Sequence, residues 1–163
     1  MRTLAIDLGA RRIGLSLSDE SGRYATPYEV IDAGSEDEAL RRIDEVIVRE
    51  GVRRLVVGLP LSMDGSVGGP ARSAVAWGER LGARTGLPVL YVDERLSSFA
   101  ADQSLLERRR LGQKLTRADR KKRLDAVAAA RFLQDFLDGI VEGLPASRIG
   151  LRQDGFTSDG RGG

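Results

Sequence analysis

Near the amino terminus, Thr3-Leu-Ala-Ile-Asp-Leu-Gly-Ala-Arg-Arg-Ile-Gly-Leu-Ser-Leu-Ser18 holds two apolar runs separated by a short Gly-Ala-Arg turn. In both runs large apolar residues alternate with small or polar ones, and this period of two indicates β-strands. A third strand fits residues 23–31, with Pro27 on its non-hydrogen-bonding side or breaking it. The three runs together predict an antiparallel meander.

The pattern changes to a helical period at Ser35, which is followed three residues later by Glu38, the spacing of a capping box. Apolar residues recur at helical spacing up to Gly51, which predicts a helix that ends there. The later predicted elements are strands at 55–57 and 89–92 and helices over 71–84, from Ser97 or Ser98 to Leu106, and over 119–138.

The order β-β-β-α-β-α-β-α-α predicts an α/β protein. Its sheet is expected to be mixed and five-stranded, an antiparallel meander plus parallel strands, flanked by helices. We expect one domain over residues 1–139 and, because glycines crowd residues 140–163, a flexible C-terminal tail. No apolar stretch approaches the roughly 18 residues of a membrane span, and no targeting signal is evident. We therefore expect a cytoplasmic protein without a membrane partner.

Two absences limit the chemistry, since the chain contains no histidine and no cysteine. Histidine-based triads, thiol nucleophiles, disulfides, and zinc sites of imidazole or thiolate are therefore excluded. Acid–base or metal chemistry has to come from Asp, Glu, Lys, Tyr or water. The only suitable metal is a hard cation with oxygen ligands.

Three carboxylates occupy positions where folding alone does not require a charge. Asp7 ends the first strand, Glu94 follows the strand at 89–92 on its apolar face, and Asp125 lies on the apolar stripe of the last helix. Crowded acids repel one another unless a cation compensates them, which favours Mg²⁺ or Mn²⁺ and phosphodiester hydrolysis. Ordinary explanations are also open: a strand-end turn for Asp7, a salt bridge of Asp93-Glu94 with Arg95, and a solvated place near the helix amino end for Asp125.

Positive charge concentrates in residues 107–123, here termed the basic segment, which hold nine basic and two acidic residues. Such a segment attracts polyanions, and it has no aromatic residue on which bases could stack. We predict contacts with nucleic-acid phosphates, with a solvated charged loop as the alternative. The residues expected to bind nucleic acid are Arg12, Arg95, Arg108, Arg109, Arg110, Lys114, Arg117, Lys121 and Lys122.

Four segments carry a resemblance to a known family: Ala5-Ile-Asp-Leu-Gly-Ala-Arg-Arg-Ile-Gly14, Val57-Gly-Leu-Pro-Leu-Ser-Met-Asp-Gly65, Val92-Asp-Glu-Arg-Leu-Ser-Ser98 and Lys122-Arg-Leu-Asp-Ala-Val-Ala-Ala129. In order and spacing they resemble the signature blocks of the YqgF family, the Holliday-junction-resolvase-like, proposed pre-16S ribosomal RNA nucleases. The resemblance implies an RNase H-like fold and a role in processing the 5′ end of small-subunit ribosomal RNA. It also places the family's proposed catalytic acids on Asp7, Glu94 and Asp125.

On this interpretation the chain is a metal-dependent endonuclease in which Asp7, Glu94 and Asp125 hold two Mg²⁺ or Mn²⁺ ions. The expected partner is pre-rRNA, with structured RNA, a DNA junction or ribosome assembly intermediates as further candidates for a monomer or homodimer. The alternatives are a non-catalytic nucleic-acid-binding or regulatory module and a DNA-junction resolvase. An actin- or sugar-kinase-like ATPase also opens with Asp-Leu-Gly, but it needs two lobes and 163 residues supply about one.

The basic segment supplies a first test. Replacing Arg108, Arg109 and Arg110 by alanine should weaken binding of unrelated single strands by a similar factor. It should also flatten the salt dependence of log K by up to about 2 units, because each phosphate contact contributes a slope of about −0.7. The saturated single-turnover rate should change little, since these contacts are equal in the ground and transition states. Binding measured against salt concentration checks this. An unchanged slope would show that the basic segment is only a solvated charged surface.

Overall fold

The elements of the chain follow the predicted order, in a computed structural model that describes residues 1–95 and 116–150. They are β1 (Thr3–Leu8), β2 (Arg12–Ser18), β3 (Ala25–Asp32), α1 (Glu36–Glu50), β4 (Arg54–Leu59), α2 (Gly69–Thr85), β5 (Val89–Asp93), α3 (Arg117–Leu137) and a 3-10 turn (Ala146–Arg148). The predicted bounds of these elements shift by no more than two residues. The helix predicted from Ser97 or Ser98 to Leu106 lies outside the described residues.

The five strands form one mixed sheet in the order β3-β2-β1-β4-β5. Antiparallel pairing joins β1 to β2 and β2 to β3, and parallel pairing joins β1 to β4 and β4 to β5. This is the predicted meander with parallel strands added. Pro27 lies within β3, an edge strand, and the register shifts beside it from Leu15↔Glu29 to Ser16↔Pro27. Proline is tolerated here because β3 is an edge strand and because the register shift lies beside it.

The helices begin and end at the residues that the sequence indicates. The Ser35 side chain accepts a hydrogen bond from the Glu38 backbone N–H at 3.4 Å, and Gly51 ends α1 in the left-handed conformation with φ 64°. Thr116 caps α3 by accepting from the Asp119 N–H. Within the described part of the chain, no helix has the length and apolar character needed to cross a membrane.

Both faces of the sheet are buried, and alternation along the strands divides their side chains between two cores. Leu4 belongs to the core that includes residues of α1 and α2. Ala5 packs in the other core with Ala129 and Phe132 of α3. Because every second residue of a strand shares a face, Asp7 points toward the α3 side.

Residues 140–149 continue the folded domain beyond the predicted boundary at residue 139. Leu144 and Tyr91 exchange two backbone hydrogen bonds of 2.8 Å, and Ile149 is buried in the core. Residues 140–149 therefore pack on the domain, because β5 has a free edge with which Leu144 pairs. Residues 151–163 lie outside the described residues.

Gly14 of β2 permits α3 to approach the sheet closely. A Cβ atom at this position would lie 2.2 Å from the backbone oxygen of Asp125 and 2.4 Å from its carbonyl carbon. Gly14 is also the register partner of Asp7 between β1 and β2. The missing side chain at position 14 therefore brings the backbone of Asp125 next to the strand pair that carries Asp7.

We expect Gly14→Ala to lower the free energy of unfolding by about 1–3 kcal/mol, because α3 has to move away from the sheet. Gly34→Ala is the matched control, since a Cβ at position 34 meets no atom within 4 Å. The control should change stability by less than about 1 kcal/mol. Urea denaturation of both variants measures this, and equal midpoints would contradict the close approach of α3.

Candidate active site

Asp7 and Glu94 meet across β4, the strand that separates β1 from β5. Gly58 of β4 leaves the space for this contact: a Cβ there would lie 2.3 Å from Glu94 Oε2 and 3.1 Å from a ring carbon of Phe132. The Glu94 carboxyl donates a hydrogen bond to the Asp7 carboxylate. We term these two residues the acid pair.

Burial dominates the ionisation of the acid pair. It raises the pKa of Asp7 to about 6, although the hydrogen bond from Glu94 lowers it and the charge of Asp125 raises it further. Burial also raises the pKa of Glu94 to about 8, and the charge of Asp7 adds to the effect. Without a cation, Glu94 therefore keeps its proton at neutral pH and shares it with Asp7.

The donor chemistry of the acid pair fits a hard divalent cation. Both groups offer only carboxylate oxygens, and no arginine or lysine whose side chain the structure describes forms an ion pair with either. A cation would compensate the charge that burial and mutual repulsion now disfavour.

Asp125 lies beside the acid pair but is bound to a different partner. Arg12 Nε donates a hydrogen bond to Asp125 Oδ2 at 3.1 Å, and the two side chains are 17% and 30% exposed. Among the residues that the structure describes, no three acidic side chains form a ligand set for a metal ion. The three predicted acids thus lie in one region, where Asp7 and Glu94 contact each other and Asp125 is paired with Arg12.

Arg95 engages Asp93, which lies next to Glu94 in sequence. Arg95 Nη2 and Asp93 Oδ2 are 2.6 Å apart, and Arg95 Nε donates to Asp93 Oδ1 at 3.0 Å. Burial raises the pKa of Asp93, but the hydrogen bonds from Arg95 outweigh it and the net pKa lies below the usual value. The ordinary explanation of a salt bridge with Arg95 therefore applies to Asp93 and does not apply to Glu94.

The expected nucleic-acid contacts fall into three groups. Arg12 and Arg95 form the ion pairs with Asp125 and Asp93 described above. Arg117 is exposed in the first turn of α3, the helix that also contains positions 121 and 122. The predictions for Arg108, Arg109, Arg110 and Lys114 fall outside the described residues.

Sequence reasoning missed two features of the site, Gly58 and the partner of Arg12. An isolated glycine inside a short apolar strand is a signal of close approach, and Gly58 fits that description. Nothing in the sequence connects Arg12 with Asp125, because 113 residues separate them.

The raised pKa values predict stability that depends on pH. The ordinary values are 3.8 for Asp7 and 4.5 for Glu94, so the folded protein binds protons more tightly than the unfolded chain does. The stabilising contribution is complete below about pH 4 and is lost as the pH rises through about 6 to 8. Asp7→Asn should therefore raise the melting temperature of metal-free protein at about pH 8.5, by about 2–4 °C for each kcal/mol recovered, and change it little near pH 4.

Thermal unfolding in the presence of a chelator measures this difference. Asp135→Asn is the matched control, because Asp135 lies ten residues along α3 from Asp125 and pairs with Arg131. The control should show no increase that is specific to high pH. Equal shifts for Asp7→Asn at the two pH values would show that the acid pair is not the source.

Comparison with known proteins relates this site to a family. Residues 1–139 match the family described as "RuvX: Holliday junction resolvase". An Acidiphilium cryptum protein named "Putative pre-16S rRNA nuclease" is 43% identical over 144 residues, covering 88% of each chain. A protein of the same name from Symbiobacterium thermophilum is 43% identical over 149 residues, covering 91% of this chain and 100% of that one.

Solved structures identify the fold. The chain resembles T. thermophilus RuvC in complex with a Holliday junction substrate with a TM-score of 0.54 and 20% identity, over 88% of this chain and 100% of that one. Another Thermus thermophilus RuvC structure gives a TM-score of 0.51 at 18% identity, with the same coverage. This likeness confirms the predicted RNase H-like fold. The family match and the relatives confirm the YqgF resemblance and the prediction of a hydrolase: this chain belongs to the RuvX (YqgF) family of nucleases.

Proposed function

We propose that this protein is a metal-dependent endonuclease that cleaves phosphodiester bonds at the 5′ end of pre-16S rRNA during ribosome biogenesis. One observation carries the proposal of metal-dependent chemistry: Asp7 and Glu94 are buried against each other with raised pKa values. The proposed substrate follows from the names of relatives that are 43% identical to this chain.

The acid pair would bind the cation through its carboxylate oxygens. A bound Mg²⁺ or Mn²⁺ supplies stabilisation of charge on the phosphoryl oxygens and a lowered pKa of bound water. Glu94 has to release the proton that it shares with Asp7 before both groups can act as ligands. The partly buried position of the pair strengthens electrostatic interactions within the site.

Two ions need more oxygen ligands than the acid pair offers. Asp125 is a further candidate, because its charge raises the pKa of Asp7. Its carboxylate would have to leave Arg12 in order to join the set. We include Asp125 in the proposed catalytic group on this basis.

Positive charge beside the acids supports nucleic acid as the substrate class. Arg12 is paired with Asp125, Arg95 follows Glu94 in the chain, and Arg117 is exposed where α3 begins. Guanidinium groups match the geometry of phosphate oxygens. These residues would hold the backbone of the substrate on either side of the bond that is cleaved.

A four-way DNA junction is the second candidate substrate. It is favoured by the family description, which names a Holliday junction resolvase, and by the RuvC structure that contains a Holliday junction. Those words describe other proteins, and the fold likeness at 20% identity does not itself indicate a substrate. Junction and RNA substrates therefore have to be compared directly.

We expect purified protein with Mg²⁺ or Mn²⁺ to cleave a pre-16S rRNA 5′ fragment faster than unrelated single-stranded RNA or a four-way DNA junction. Asp7→Asn and Glu94→Gln should each lower the single-turnover rate by at least about 100-fold, because each removes a ligand charge with little change in volume. Asp125→Asn should also lower it. Gel-resolved cleavage at saturating protein measures these rates.

Asp135→Asn, on the same helix as Asp125, is the control and should cleave at the wild-type rate. Near-wild-type rates in all three acid variants would overturn the assignment of the site. Binding of RNA without cleavage under any metal condition would instead favour the non-catalytic module. Preferred cleavage of the junction would replace the proposed substrate with DNA.

A further inference from the structure

Asp125, the third of the predicted metal ligands, forms an ion pair with Arg12. Arg12 Nε and Asp125 Oδ2 are 3.1 Å apart, and the arginine side chain is only 17% exposed. A partly buried pair of this kind is stronger than one on the open surface, since water screens it less.

The backbone already places Asp125 next to the acid pair. Gly14 allows the Asp125 backbone to lie against β2, and Gly14 itself is the register partner of Asp7. Arg12 is two residues before Gly14 on the same strand and therefore faces the same side of the sheet. Arg12 therefore reaches Asp125 from the face of the sheet on which Asp7 also lies.

A divalent cation and the Arg12 guanidinium would compete for the same carboxylate. A divalent cation can release Asp125 from Arg12, because hard cations bind carboxylate oxygens directly.

We propose that Arg12 is a positioning residue whose ion pair forms a latch, holding Asp125 away from the acid pair until a divalent cation displaces the guanidinium. The inference rests on the proposed function, in which the acid pair binds that cation. It adds a residue that controls the assembly of the site and explains why the described residues contain no three-acid ligand set. The latch lowers the affinity of the free protein for the metal.

The test measures Mn²⁺ binding by the full-length chain without nucleic acid, from the spin-resonance signal of unbound Mn²⁺. Arg12→Gln should bind Mn²⁺ about fivefold more tightly than the wild type, the fold-change that an ion pair of this exposure supports. Arg11→Gln removes the same charge from the preceding, exposed position and should change the affinity less than about twofold. Asp7→Asn should abolish the binding and so locate the ion.

A double-mutant cycle separates the latch from a general effect of charge. In an Asp125→Asn background, Arg12→Gln should leave Mn²⁺ affinity unchanged, because there is no carboxylate left to release. Arg12→Met keeps the apolar stem of the side chain, and it replaces Arg12→Gln in the cycle if glutamine lowers the melting temperature.

If Arg12→Gln binds Mn²⁺ more tightly only when Asp125 is present, the latch is supported. If Arg12→Gln raises the Mn²⁺ affinity equally in the wild-type and Asp125→Asn backgrounds, the latch is overturned. The same holds if Arg11→Gln raises the affinity as much, because the effect is then one of general electrostatics. Mn²⁺ binding that depends on Asp7 but does not respond to Arg12 overturns the latch alone. The absence of any binding that depends on Asp7 overturns the proposed function together with the latch.

Discussion

The contact between Gly14 and the backbone of Asp125 is the constraint on which the rest of the site depends. It joins helix α3 to the β1–β2 pair at a distance that no side chain at position 14 would permit. Through the register of β1 and β2 the same contact brings Asp125 next to Asp7. Gly58 has a corresponding role on β4, where the lack of a side chain lets Glu94 reach Asp7. Two glycines therefore create the space in which acids from three separated parts of the chain meet.

Electrostatics opposes this arrangement in the absence of a cation. Burial and mutual repulsion raise the pKa of both members of the acid pair, so folding places them where their charged forms are disfavoured. Groups of this kind are expected where function, and not stability, has determined the residues. Asp125 is paired with Arg12, and Asp93 is paired with Arg95. The site thus contains both compensated and uncompensated acids, and the uncompensated ones are the proposed ligands of a cation.

Most of the fold could be predicted from sequence because its signals are local. Alternation indicated the strands, and Ser35 and Gly51 marked the ends of α1 by capping chemistry that acts within one turn. The three acids were also predictable, since each carries a charge on an apolar pattern. The ion pair of Arg12 and the packing of residues 140–149 on β5 were not, because both depend on contacts between distant segments. Pattern reasoning identified the acids; only the three-dimensional structure shows which of them touch.

The acid pair, Asp7 and Glu94, is the proposed divalent-cation site. Anomalous diffraction from crystals soaked in Mn²⁺ tests it most directly, because the signal locates the metal independently of activity. The account predicts a peak at about 2.1 Å from carboxylate oxygens of both Asp7 and Glu94, with their mutual hydrogen bond broken. A peak elsewhere, or no peak while the two carboxyl groups remain hydrogen-bonded to each other, would contradict it.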